Sequence, residues 1–200
     1  MIIHLNGWPG VGKRTIGIGV ADRLGARFIH NHLLHDVAIG CAGYNGAHRW
    51  PLYEKVRAAA YEALALQPKT ETFVMTNALC RDTPREDLAW SHVVHLAIRR
   101  QVPLVPVVLE ASLEENKRRV RSEDRITSGK LTDAAALESM MRTDFIQRPD
   151  VPELLVLDVT TLSPADAADA IIAWVEEIRP TLQVATLEHL RMRATTVART

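Results

Sequence analysis

Gly7, Gly10, Gly12 and Lys13 stand in the spacing Gly-x-x-Gly-x-Gly-Lys, inside the opening stretch MIIHLNGWPGVGKRT. These residue types in that order suit a loop that wraps phosphate. Glycines let the backbone turn so that successive N–H groups face phosphate oxygens, and a helix starting just behind them adds partial positive charge. Lys13 then reaches the β- and γ-phosphates of a nucleotide. In loops of this kind a Ser or Thr hydroxyl that meets Mg²⁺ usually follows the lysine directly. Here Arg14 occupies that position and Thr15 comes one residue later.

Two other groups of residues carry chemistry. Arg118, Arg121 and Arg125 fall at offsets zero, three and seven, on one stripe of a helix that continues from Leu113. Arginine forks neutralise the charge that phosphoryl transfer spreads over oxygen atoms. The bland alternative is a solvated helix laced by Glu114–Arg118 and Glu115–Arg119 pairs. The run His30-Asn31-His32-Leu33-Leu34-His35-Asp36 is the second group. A hydroxyl that accepts a phosphoryl group must lose its proton, and Asp36 and His32 are the candidate acceptors of it. His30 and His32 alternate as strand residues do, but a protein-held metal needs three or four ligands, so no metal site is expected there. Arg81, Asp82 and Arg85 form a further polar rim, in which Arg81 suits an anionic acceptor. Lys130 is a lesser candidate, and Thr76 and Asn77 are placed to orient a magnesium-bound water.

Five apolar runs position these groups. Ile2 to Leu5 precedes the loop, and Ile16, Val20 and Leu24 recur every four residues after it, as on one face of a helix. Residues 26–30 read as a second strand, after which Gly40, Gly43 and Gly46 loosen the chain. Pro51 suits the first turn of a helix reaching Leu66. Residues 72–77 read as a third strand, and a helix follows Pro84. Val102 to Leu109 is the most continuous apolar run and predicts a buried parallel strand. Ser112 to Glu115 is a capping box. Thr132 is placed to cap a helix using Leu137, Met140, Met141 and Phe145. Residues 154–157 give the fifth strand. Ser163 and Pro164 open the last long helix, Pro180 ends it, and residues 181–200 read as a loosely held tail. Strands alternating with helices predict a parallel α/β sheet with its ligand at the carboxyl ends of the strands.

The run Gly7-x-Pro9-Gly10-x-Gly12-Lys13-x-Thr15 resembles the loop of adenylate kinases and related small P-loop kinases. Over residues 1–180 the layout is similar to the nucleoside-monophosphate-kinase and shikimate-kinase type. From the first strand through the loop it also resembles the tunicamycin-resistance and antibiotic phosphotransferase group. The resemblance implies a three-layer P-loop NTPase fold with strand order 2-3-1-4-5 and a small helical lid at about 112–132, the tail lying outside the domain. It implies ATP and Mg²⁺ as cofactors, bound by Gly7, Trp8, Pro9, Gly10, Val11, Gly12, Lys13, Arg14 and Thr15. Thr15 then meets the α-phosphate, and the metal is held mainly by phosphates and water. Arg14 has no counterpart in that pattern and reads as a solvated helix residue. Shikimate- and gluconate-type kinases carry acidic residues where this chain has its histidines.

Composition limits the remaining classes. Lys plus Arg equal Asp plus Glu at 24 each, which argues against a general nucleic-acid binder. No apolar run matches a membrane span and no secretion signal is evident. Cys41 and Cys80 form no CxxC pattern, as expected of a cytoplasmic protein. Two hundred residues with 47% hydrophobic content suit one domain, as a monomer or homodimer. The expected function is ATP-dependent phosphoryl transfer to a small-molecule acceptor of nucleoside, sugar or antibiotic type. The rival is an ATP-binding protein that sequesters a small molecule without catalysis.

Overall fold

Side chains alternate across a strand, so neighbouring apolar residues serve different layers. The computed structural model describes residues 1–80, 83–122 and 131–193. Its strands β1 (Ile2–Gly7), β2 (Arg27–His30), β3 (Phe73–Thr76), β4 (Leu104–Glu110) and β5 (Leu155–Asp158) form one parallel sheet in the order β2-β3-β1-β4-β5. Ile2 pairs with Phe73 on one side and Leu104 on the other. Ile3, Leu5, Val105, Val107 and Leu109 pack on α1 (Lys13–Leu24) and the final helix α7 (Pro164–Ile178), through Ile16, Val20, Ala167, Ile171 and Val175. Ile2, Phe73, Met75 and Leu104 turn the other way, onto Trp90, Val93, Val94 and Ala97 of α4 (Pro84–Arg100). Helices on both faces make three layers, as the sequence predicts.

Two smaller groups of helices stand above the carboxyl ends of the strands. α5 (Leu113–Val120) and α6 (Ala134–Thr143) gather Val120 and Leu137 around Trp8 and Val108. On the other side, α2 (His32–Ala42) packs Leu34 and Ala38 against Tyr53 of α3 (Arg49–Ala65). The helices start where side-chain caps are available. Ser112 accepts from the Glu115 amide, Thr83 from that of Glu86, and Ser163 from that of Asp166.

Four local expectations need correction. The chain does not loosen at Gly40, because α2 runs through it. Leu34 and Ala38, one turn apart, bury enough to hold the helix, and Gly43 ends it with a positive φ of 77°. α5 stops at Val120, where the Ser122 hydroxyl donates to the Arg119 carbonyl and supplies one partner for the helix end. Asp133, not Thr132, caps α6, its carboxylate accepting from two amides, and Phe145 lies beyond that helix. Residues 182–193 are not a loose tail. The Trp90 indole N–H donates to the His189 carbonyl at 2.8 Å, the Ala185 amide bonds the Val102 carbonyl, and Met192 pairs with Pro149. Among the described residues no helix is long and apolar enough to cross a membrane.

Candidate active site

The phosphate loop lies between β1 and α1, on the central strand of the sheet. Gly7, Gly10 and Gly12 have φ of 150°, 93° and 101°. At Gly10 a Cβ would stand 2.5 Å from Val120 and 2.9 Å from the Asn116 side chain, so α5 sits directly on the loop. Gly12 is the N-cap of α1 and offers no side chain to its first amides. The first-turn N–H groups of a helix have no partner within it, and here they open onto a cleft of about 1040 Å³. Lys13 Nζ curls over the loop and donates to the carbonyls of Gly7 at 2.6 Å and Trp8 at 2.8 Å.

The structure separates the expected loop residues into two sets. Pro9, Gly10, Gly12, Lys13, Arg14 and Thr15 line the cleft. Gly7, Trp8 and Val11 lie beneath it, and the Trp8 and Val11 side chains are core residues. Arg14 and Thr15 are both exposed.

The arginine stripe resolves differently from the sequence reading. Arg119 is the inward arginine, 20% exposed, donating to the carbonyls of Val11 at 3.1 Å and Val159 at 2.7 Å and to Glu115. Arg118 lines the outer edge of the cleft, 73% exposed, with its guanidinium on Glu115. The hydrogen bond from Arg118, together with Arg119, holds the Glu115 carboxyl down to about 2. Arg121 is an exposed helix cap outside the cleft lining. Arg125, Lys130, Arg81 and Asp82 lie outside the described residues. Because α5 ends at Val120, Arg121 is its C-cap rather than a member of a helical stripe with Arg118.

Across the cleft, His30, Asn31, His32 and His35 line the wall where β2 passes into α2. Asp36, the other candidate proton acceptor, is not among the lining residues. It is exposed, one residue round the helix from the His32, His35 and Ile39 line that faces the cleft. The Asn31 amide oxygen accepts from the Tyr53 hydroxyl at 2.6 Å. His35 stacks on Tyr53 at 4.1 Å, and Trp50 meets both rings edge-on. Burial, then the charges of His32, Arg49 and Arg57, push the His35 imidazole down to about 4. Burial raises the Tyr53 phenol. Among the described residues, no three His, Cys, Asp or Glu side chains converge as a metal set.

Asn77 follows β3 directly and lines the cleft, and a residue from the core fixes it. His4, fully buried in β1, places Nε2 3.0 Å from Asn77 Oδ1. Burial pushes this imidazole down to about 4, with the Asn77 bond opposing and the Lys13 charge adding. His4, Tyr53, Arg57 and Trp50 are not among the residues that the sequence singles out as site residues, and His35 appears there only within the run from His30 to Asp36. Arg57 and Tyr53, one turn apart on α3, were the available signal.

Comparison with known proteins supports the fold. No protein-family model matches the chain, and no curated protein matches it in sequence. Solved structures do resemble it. A gluconokinase from Sinorhizobium meliloti 1021 is 20% identical, with a TM-score of 0.58 over 90% of this chain and 93% of that one. A sugar kinase from Janibacter sp. HTCC2649 is 22% identical, with a TM-score of 0.55 over 92% and 98%. A shikimate kinase from Acinetobacter baumannii, in complex with shikimate, is 15% identical, with a TM-score of 0.50 over 88% and 93%. The chain has the fold of P-loop small-molecule kinases.

Proposed function

We propose that this protein is an ATP-dependent phosphotransferase that moves the γ-phosphoryl group to a small-molecule acceptor. The observation that carries this reading is one cleft with two different ends. One end presents the uncapped start of α1, the glycine loop and Lys13. The other presents side chains able to hold a small molecule and take its proton. In this reading the loop amides and Lys13 hold the triphosphate, Lys13 exchanging the Gly7 and Trp8 carbonyls for phosphate oxygens. Arg118 and Arg119 on α5, in the expected lid, neutralise charge beside it. His32 accepts the proton of the acceptor hydroxyl.

The loop fits magnesium as an ion that keeps much of its water. Its side-chain oxygen is Thr15, and Thr76 and Asn77 supply further uncharged oxygens in the cleft. Bound there with ATP, magnesium would neutralise charge on the β- and γ-oxygens.

The test is phosphorylation of candidate acceptors, followed as gain of one HPO₃ by mass spectrometry with ATP and magnesium saturating. Phosphorylated acceptor is expected with the wild type. An acceptor that binds tightly but never gains phosphate would establish the sequestering protein instead.

A further inference from the structure

The segment that follows β3 runs along the cleft, and β1 holds it there with side chains. Ile3 and Leu5 serve one layer of the core, while His4 and Asn6 turn to the other face of β1, both buried. Asn6 pairs with Leu79 in both directions. Its oxygen accepts from the Leu79 amide at 2.8 Å, and its nitrogen donates to the Leu79 and Gln147 carbonyls at 3.1 Å each. The Asn77 amide donates to the Leu5 carbonyl at 3.1 Å. Thr76, the last residue of β3, pairs with Leu5 on one side and His30 on the other. Asn77 therefore follows between the strand that leads into the phosphate loop and the strand that leads into the histidine wall.

A pinned backbone still leaves the Asn77 side chain a choice. Its amide can turn over, exchanging an acceptor for a donor, and the partner decides which end goes where. His4 makes that choice, with Nε2 standing 3.0 Å from Asn77 Oδ1. The oxygen can only accept, so Nε2 carries the proton. The imidazole has no room to swing away, being fully buried and packed 5.2 Å from the Trp90 ring. Among the described residues Asn77 Nδ2 then has no hydrogen-bond partner, on a side chain that is 6% exposed and lines the cleft. A buried donor without a partner is costly, and a ligand oxygen would remove that cost. An apolar pair of the same shape would serve the core about as well as His4 and Asn77. Packing alone does not call for them.

We propose that Asn77 is a catalytic residue whose side-chain N–H donates to the phosphoryl group in transit, and that His4 is the positioning residue that turns this N–H into the cleft. This rests on the kinase reading above. In the transfer, the acceptor oxygen bonds to the γ-phosphorus as the bond to the bridging oxygen of ADP breaks. The acceptor proton passes to His32 and then to water. Negative charge on the equatorial oxygens meets an uncharged donor held in place beforehand, and Asn77 keeps its proton throughout. Thr15 and Thr76 then serve water on the magnesium, and Asn77 serves the phosphoryl group.

The experiment is calorimetry of the full chain with ADP and magnesium, without and with aluminium fluoride, which stands in for the phosphoryl group in transit. The wild type should bind ADP at least about tenfold more tightly with the fluoride. Asn77→Ala should lose most of that gain, with affinity for ADP alone kept within about twofold. His4→Phe keeps a ring beside Trp90 but has no donor, and should lose about as much; His4→Leu replaces it should it fail to fold. His4→Gln still offers an N–H to Oδ1 and should recover part of the gain. A merely structural role would lower the melting temperature of all the His4 variants and leave the fluoride gain alone. With any acceptor that gains phosphate, Asn77→Ala should lower kcat by roughly 10²–10³-fold and keep the acceptor KM within about threefold. A full fluoride gain in Asn77→Ala overturns the proposal. So does an equal gain in His4→Gln and the donor-less His4 variant. If ADP binds the wild type but fluoride adds nothing, the donor assignment is wrong and nucleotide binding stands. If neither ADP nor ATP binds, the kinase reading itself falls.

Discussion

The two ends of the cleft are made of different materials. At the phosphate end the backbone forms the site, through positive φ at Gly7, Gly10 and Gly12 and the open first turn of α1. At the acceptor end side chains form it, drawn from β2, α2, α3 and α4 and joined by contacts such as Tyr53 to Asn31 and Arg85 over Trp50. A backbone-made site dictates residue types at fixed spacing in one short stretch. A side-chain-made site dictates only where atoms finish, and several sequences meet that demand. On the proposed reading, the first end suits a ligand part common to many reactions, and the second suits whatever is particular to this one.

The largest expected effect falls at the acceptor end. His32→Gln keeps a polar group but removes the proton acceptor, and should lower kcat by roughly 10²–10⁴-fold. Asp36→Asn should leave kcat within about twofold, because Asp36 is exposed and outside the cleft lining. Reversed results in a steady-state assay would move the proton acceptor to Asp36 and dissolve the distinction drawn here. At the phosphate end, Lys13→Ala should weaken ATP binding by at least about tenfold, or about 1.4 kcal/mol, with the amides still in place. Unchanged ATP affinity by calorimetry in a folded variant would mean that the lysine stays on the Gly7 and Trp8 carbonyls.

Smaller effects probe what lies behind both ends. Trp90→Phe removes the hydrogen bond to His189 and should cost about 1 kcal/mol of stability in urea unfolding. A variant as stable as the wild type would show that the 182–193 segment is held by its apolar contacts alone. The pH dependence follows from His4 and His35, whose folded imidazoles sit at about 4 against an ordinary value of 6.5. Between those values the unfolded chain takes up protons that the folded chain does not. Their contribution is therefore complete above pH 6.5 and is lost as pH falls towards 4. The slope is at most about 1.4 kcal/mol per pH unit for each histidine. Denaturation midpoints measured from pH 7 down to pH 5 should fall, and less steeply in His4→Gln.

The sheet was legible because each strand is an apolar run with its own turn or helix signal. Strand order came from the loop resemblance rather than from periodicity. Trp8 looked like a loop residue and proved to be core, since spacing tells nothing of which way a side chain turns. Arg119 was hidden by the assumption of a longer helix. With α5 ending at Val120, the residue next to the expected stripe reaches the loop. Trp50 and Arg57 lie two turns apart on α3, and only the packing of α2 on α3 brings His35 to them. No local pattern announces such a meeting.

Gly10 has a mechanical meaning beyond its dihedral angle. With no side chain there, Val120 and Asn116 of α5 rest on the loop itself, while Arg119 grips both the Val11 carbonyl and the end of β5 at Val159. Loop, α5 and strand end work as one linkage with little slack. A loop that shifts by a few tenths of an ångström as it fills must push α5 along with it. Any movement of the loop would thereby reach α5 as displacement rather than as charge.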